Sequence, residues 1–172
     1  MDIQQAVSLG SPNPVSFYAI GPNDQGFRQF SDEFVQLAIY VGLTDKPPST
    51  ISTSYSQEEV GSSPQYLGRM CNEFAKGGSR GVSALFSSGD YGVGRRSGYP
   101  CTDFTAEFPS SCPYVTSVGA TSISSEGDET VAVWMPPPRS PSGRFSSGGG
   151  FCNKFPTPDY QRNDTAAFIE YL

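Results

Sequence analysis

No histidine occurs anywhere in the 172 residues of this chain. That absence excludes a Ser-His-Asp triad, and any histidine-ligated metal, built from this chain alone. Charge is scarce as well: only 16% of residues are charged, and 17 acidic against 11 basic side chains leave a net charge of −6. Such a balance argues against nucleic acid or an anionic membrane surface as partner. It suits a protein that works in acid, where protonating carboxylates lessens self-repulsion. No apolar run reaches the roughly 18 residues of a membrane span. The opening Met1-Asp2-Ile3-Gln4-Gln5 has neither the basic start nor the apolar stretch of a secretion signal. The cysteines Cys71, Cys101, Cys112 and Cys152 include no Cys-x-x-Cys pair, which disfavours a zinc site. They allow two disulfides in any of about three connectivities, or buried free thiols.

Glycine and proline, 19 and 15 residues, are plentiful and point to a loop-rich globular protein of one domain. Residues 2–9 read as a short helix closed by Gly10. Residues 15–20 read as a strand by their aromatic and β-branched content, broken by Gly21-Pro22-Asn23-Asp24. Apolar residues at 27, 30, 34, 37, 38 and 41 have helical spacing. Residues 50–55 form a second strand candidate. A helix follows over 63–76 with Tyr66, Met70 and Phe74 along one face and Gly77-Gly78 at its end. Residues 82–86 make a third apolar strand. Strands and helices that alternate in this way, with crossovers long enough for parallel pairing, predict an α/β protein with a doubly wound, mostly parallel sheet and helices on both faces. The second half is less regular. Strands are expected over 114–118 and 129–134, loops over 136–141 and 146–150, and a helix from Asp164 to Leu172. No stop signal closes that last helix, so the chain is expected to be cut from a longer one.

The stretch Leu85-Phe86-Ser87-Ser88-Gly89-Asp90-Tyr91-Gly92-Val93-Gly94 carries the chemistry. A buried strand stops abruptly at an aspartate between glycines, which let the backbone turn sharply and approach a ligand. In open α/β sheets, ligand-facing groups collect just beyond the carboxyl ends of strands, and Asp90 falls there. The plainer reading is an Asx cap on a turn. A phosphate cradle is disfavoured: the spacing is not Gly-x-Gly-x-x-Gly, no helix pattern follows, and Asp90 would repel the anion.

Four ordered segments resemble the sedolisins, or serine-carboxyl peptidases, and in particular their fungal tripeptidyl-peptidase-like members. They are Met1-Asp2-Ile3-Gln4 with the strand at 15–18; Ile51-Ser52-Thr53-Ser54-Tyr55 with Cys71-Asn72-Glu73-Phe74; Arg80-Gly81-Val82 through the Ser-Gly-Asp stretch; and residues 108–119 with Phe145-Ser146-Ser147-Gly148-Gly149-Gly150-Phe151. Tyr160 and Gln161 follow at the expected place. The resemblance spans almost the whole chain and implies a partial catalytic domain over 1–172 with a subtilisin-like fold. It also implies a mechanism without histidine. A glutamate activates the serine, one aspartate orients that glutamate, and a second aspartate donates a hydrogen bond in the oxyanion hole. By this pattern Asp90 is the oxyanion donor and Asp2 the orienting carboxylate, although Asp2 with Gln5 also fits a capping box. Ser52, Ser54, Ser56 and Gly89 would border the substrate.

Several family features are expected to lie outside the chain. The catalytic glutamate would sit one helical turn before Asp2, and the Ser-Gly-Thr-Ser nucleophile motif beyond Leu172. The calcium-binding segment, the secretion signal and the prosegment would also lie elsewhere. No metal ligand or cofactor is therefore assigned within this chain, and calcium is expected only in the complete domain. Ser56 stands where glycine usually follows the tyrosine, Ala120 replaces a second glycine, and Cys152 takes a position where serine is common. Asn163-Asp164-Thr165 is an N-glycosylation pattern and, equally, a possible helix N-cap. The resemblance implies acid hydrolysis of peptides or unfolded proteins, either as a tripeptidyl-peptidase or as an endopeptidase. A monomer in the extracellular space or an acidic vacuole-like or lysosome-like compartment is expected, with this chain inactive by itself. The alternative is a truncated, non-catalytic paralogue acting at most as a peptide-binding remnant.

Overall fold

The computed structural model describes residues 2–20, 32–94, 104–134 and 145–172. Its centre is a parallel sheet of three strands, β1 (Thr50–Thr53), β3 (Ser83–Ser87) and β5 (Thr116–Val118), in the order β1-β3-β5. Ile51 lies opposite Ala84 and Thr53 opposite Phe86, while Leu85 lies opposite Thr116 and Ser87 opposite Val118. Along β3, Ala84 and Phe86 are buried while Ser83 is exposed and Leu85 half-buried, the alternation of a pleated strand with one covered face.

Two helices supply the cover. Helix α2 (Asp32–Leu43) contributes Phe34, Leu37, Ala38 and Val41, and α3 (Pro64–Ser79) contributes Leu67, Met70, Cys71 and Phe74. These positions recur three and four residues apart, so each helix presents a single apolar stripe. Phe86 sits between them, edge-on to Phe34 at 5.8 Å and to Phe74 at 5.1 Å between ring centres. Helix α3 begins where Ser63 accepts a hydrogen bond from the Tyr66 N–H at 3.2 Å, with Pro64 in its first turn. It runs through Gly77-Gly78 rather than stopping there, and the reversal falls at Gly81, whose φ is +84°. The extension places Arg80 to donate to the carbonyls of Gly42 and Thr44, both at 2.6 Å, and of Val41 at 3.3 Å. A guanidinium thus satisfies the last carbonyls of α2 and complements its dipole.

The parallel sheet with its crossover helix agrees with an incomplete subtilisin-like α/β fold. Among the described residues, α2 and α3 cover one face of the sheet. Helices α1 (Asp2–Gly10) and α4 (Arg162–Tyr171) carry no buried residue. The segment 15–20, expected as a strand, is exposed and without ladder partners among the described residues. Its β-branched and aromatic side chains favour a strand only where a neighbouring strand and a packed face receive them. The expected strand over 129–134 divides at Ala132. Its first part, β7 (Glu129–Val131), pairs with β6 (Thr121–Ile123); its second, β8 (Val133–Trp134), pairs with β9 (Phe145–Ser146). A further short pair joins β2 (Gln57–Glu58) to β4 (Glu107–Phe108). The break at 21–24, helix positions 27 and 30, Cys101 and the proline-rich loop over 136–141 lie outside the described residues.

A disulfide joins Cys71 of α3 to Cys112, with Cα atoms 5.6 Å apart. It closes a loop across a sequence separation of 41 and ties the segment after β4 to the helix layer. By the loop-closure argument, replacing both cysteines by serine lowers the unfolding free energy by about 2–4 kcal/mol. Urea unfolding of Cys71→Ser/Cys112→Ser against the parent checks this, and equal stabilities would show that the bridge constrains nothing.

Candidate active site

Because β1, β3 and β5 are parallel, their carboxyl ends open on one rim. The chain beyond β1 carries Ser54 and Ser56, the chain beyond β3 carries Ser88, Gly89 and Asp90, and Gly119 and Ala120 follow β5. Gly89 has φ +105°, and a Cβ there would lie 2.7 Å from Cγ of Glu107. Glycine is therefore required twice over, by conformation and by space. The Ser88 N–H donates to the Val118 carbonyl at 2.9 Å, and the Ser110 hydroxyl donates to the Ser87 carbonyl at 2.9 Å.

The loop 147–150 then lies directly on this turn. The Gly148 N–H donates to the Gly89 carbonyl at 2.8 Å, and a Cβ on Gly148 would fall 2.0 Å from the Ser88 carbonyl oxygen. The Ser146 N–H donates to the Asp90 carbonyl at 2.9 Å, and the Gly92 N–H returns to the Ser146 carbonyl at 3.0 Å. Behind the loop, Ser147 is buried and its hydroxyl accepts from the Ala120 N–H at 2.8 Å. Asp90 therefore has its backbone fixed by its neighbours while the residue itself remains exposed at the rim.

Beside the turn is a cavity of about 90 Å³ walled by Ser88, Glu107, Ser110, Ser111, Gly148 and Cys152. A wider one of about 770 Å³ shares Ser110, Ser111, Ser117, Gly150 and Cys152 with it. The Ser111 hydroxyl oxygen is buried without a hydrogen-bond partner among the described residues.

The other sequence-derived positions are distributed as follows. Ser52 is exposed on β1, Ser54 is exposed and Ser56 half-buried in the segment leading to β2, and β2 pairs with β4, whose Glu107 abuts Gly89. The structure thus brings residues 54–58 and the Asp90 turn to one rim. Asp2 is exposed in the first turn of α1, and none of the described hydrogen bonds joins α1 to the rim. Asn163 is exposed inside α4. The N-cap position belongs to Gln161, which makes no side-chain cap bond, so the capping alternative for Asn163 does not hold.

Sequence reasoning passed over one pair. Glu59, only 1% exposed, accepts at Oε1 from the Cys152 thiol at 2.9 Å and at Oε2 from the Asn153 N–H at 3.2 Å. Backbone N–H groups of Lys154 and Phe155 donate to the same sulfur at 3.2 and 3.1 Å. Burial, and then the hydrogen bond to Glu59, push the Cys152 thiol up to about 11. Nothing local marks Glu59, which follows Glu58 in a polar run, because its burial arises only when 105–107 and 152–153 fold over it.

The chain also has relatives whose fold is known. It superposes on Pseudomonas sedolisin, a serine-carboxyl proteinase solved in complex with two molecules of pseudo-iodotyrostatin, with a TM-score of 0.62 and 25% identity over 81% of this chain and 39% of that one. The chain belongs to the sedolisin, or serine-carboxyl peptidase, family. Its particular relatives include Aorsin of Aspergillus oryzae, 37% identical over 92% of this chain and 24% of that protein. Tripeptidyl-peptidase SED2 of Arthroderma otae is 35% identical over 100% and 29%, and Tripeptidyl-peptidase 1 of Mus musculus 32% identical over 99% and 28%. The chain thus spans between about a quarter and a third of the length of these curated relatives. No family model matches it.

Two outcomes follow from the geometry. Gly148→Ala must push the loop off Ser88 and costs about 1–3 kcal/mol by the usual penalty for overpacking; a denaturation midpoint equal to the parent's would contradict the seating. The second outcome depends on pH. A thiol whose folded pKa is raised from 9.0 to about 11 favours the fold fully below pH 9, where both states hold the proton. As pH rises from 9 towards 11 the unfolded thiol ionises first, so stability falls across that window. Unfolding measured from pH 8 to 11 shows this decline in the parent and a smaller one in Cys152→Ser.

Proposed function

We propose that this chain is the part of an acid serine-carboxyl peptidase that supplies the oxyanion donor, Asp90. The observation that carries the reading is the Asp90 turn itself: an exposed carboxyl at the carboxyl rim of a parallel sheet, its backbone held on a glycine loop. In the complete enzyme the serine oxygen attacks the peptide carbonyl carbon while a glutamate one turn before Asp2 takes the serine proton. Charge that develops on the carbonyl oxygen is met by the protonated carboxyl of Asp90. The amine leaves with a proton from the glutamic acid, and water hydrolyses the acyl-enzyme by the same proton route. Asp2 orients the glutamate from the same helix face. Ser52, Ser54 and Ser56 flank an extended peptide. Free carboxyl groups titrate near pH 4, so a carboxylate base paired with a carboxylic acid donor works in acid.

In this reading the glutamate and serine lie outside the 172 residues, and the substrate is a peptide or unfolded protein cut from its amino end or internally. A monomer in the extracellular space or an acidic compartment fits a chain stapled by Cys71–Cys112, since disulfides persist in oxidising surroundings. Among the described residues no group of three or more carboxylate or thiol side chains offers a calcium site. Calcium, expected only in the complete domain, enters no step above. Asn163, exposed on α4, remains available for glycosylation.

Asp90→Ala in the complete protein should lower kcat at acid pH by about 10²–10³-fold, the usual cost of losing one oxyanion donor, with KM little changed. Undiminished turnover would overturn the role of Asp90. Purified 172-residue chain should hydrolyse no peptide at acid pH. Hydrolysis abolished by the same substitution would show that the chain needs no outside groups.

A further inference from the structure

The Asp90 turn is only as well placed as the loop seated upon it, and that loop is anchored at its far end by a buried carboxylate. Gly148 to Gly150 lead straight into Cys152 and Asn153, whose thiol and N–H are both taken up by Glu59. Glu59 in turn is fixed by its own backbone. Its N–H donates to the Ala106 carbonyl at 3.1 Å and its carbonyl accepts from the Ser62 N–H at 3.3 Å. Ala106 precedes Glu107, the residue that abuts Gly89. Three segments therefore meet at one residue: the continuation of the 52–56 segment carries it, the 105–107 segment under Gly89 binds its backbone, and the 148–153 segment over Ser88 binds its side chain.

A side chain with merely structural duties at a site 1% exposed would be expected to be apolar. Burying a carboxylate is costly unless its oxygens are satisfied, and here both oxygens are used on the 152–153 segment. Among the described residues Glu59 forms no ion pair. Its hydrogen bonds are thus spent on holding one loop and not on neutralising a cation. Other titratable groups around the thiol are Glu107 across the small cavity and Asp164, Tyr114 and Tyr160 across the wide one, with Glu58 adjacent in sequence to Glu59 and Lys154 to Asn153. None of these makes a described hydrogen bond to the sulfur through its side chain.

We propose that Glu59 is a positioning residue for the Asp90 turn, holding the Gly148–Gly150 loop onto Ser88 and Gly89 by binding the Cys152 thiol and the Asn153 N–H. Cys152 is the tether and not a nucleophile. Burial and the commitment of its proton to the Glu59 carboxylate disfavour the thiolate, and they outweigh the two N–H groups that donate to the sulfur. The importance of the tether rests on Asp90 being the oxyanion donor, but its existence does not, and the experiment reads the tether directly.

The test uses the 172-residue chain, amide hydrogen exchange and alkylation of the thiol. Cys152→Ser keeps a hydroxyl donor for Glu59, whereas Cys152→Ala keeps none. In Cys152→Ala the Ser146, Gly148 and Gly149 amides should exchange about tenfold faster or more, as expected for a locally released loop, while α3 amides such as Phe74 stay as in the parent. Cys152→Ser should restore parent protection. Glu59→Gln removes the charge at near-constant volume and should raise the alkylation rate at pH 8–9 about three- to tenfold by lowering the thiol pKa. Equal exchange in Cys152→Ala and Cys152→Ser would overturn the proposal. So would uniform acceleration across the whole chain, or an alkylation profile unchanged by Glu59→Gln. Loss of turnover in Asp90→Ala would stand or fall independently of these results.

Discussion

Backbone lies directly against backbone where Gly148 meets Ser88, and the rim of this molecule depends on that approach. A Cβ at position 148 would fall 2.0 Å from a carbonyl oxygen, so only glycine lets the loop close. Once it is closed, the Gly148 N–H binds Gly89, Ser146 binds Asp90, and Gly92 returns to Ser146. These hydrogen bonds make the turn after β3 a fixed bracket for one side chain. A carboxyl carried on a fixed backbone suits the oxyanion role proposed for it, since stabilising a developing charge rewards groups that need little rearrangement.

The bracket is supported from below by a layer with separate physical origins. Phe86 is the last buried residue of β3 before the turn, and its ring is locked between Phe34 and Phe74. Helix α3 is positioned by its Ser63 cap, by the bridge from Cys71 to Cys112 and by Arg80 reaching across to the end of α2. The strand end is thus held by apolar packing while the loop above it is held by hydrogen bonds and glycine geometry. The Glu59–Cys152 contact belongs to the second set and joins it to the segment beyond β1.

Much of this was legible in the chain itself. The apolar run ending in Gly89-Asp90 announced a strand and the glycine turn that closes it, and the helical spacing of Phe34, Leu37, Ala38 and Val41 announced α2. Such features are local, because period and turn chemistry are written in adjacent residues. What was not legible depends on distant partners. Residues 15–20 have strand composition but no described strand beside them, and the strand expected over 129–134 parts at Ala132 because its halves find different neighbours. Helix α3 passes its two glycines because packing outweighs their propensity. Glu59 carries no local signal in the sequence, because its partners at Ala106 and at Cys152 and Asn153 are remote. The family resemblance reached further than the local signals, since an ordered set of motifs carries tertiary information that no single window holds.

The central claim is that the Asp90 carboxyl donates a hydrogen bond to the oxyanion. A structure of the complete enzyme with a peptide aldehyde bonded to its serine, at a resolution that locates the acid proton, tests this most directly. The account predicts a carboxyl oxygen of Asp90 about 2.5–2.7 Å from the hemiacetal oxygen, the distance of a short charge-assisted O–H···O bond, with the Gly148 loop seated as described. A hemiacetal oxygen held by other donors, with the Asp90 side chain turned to solvent, would contradict it.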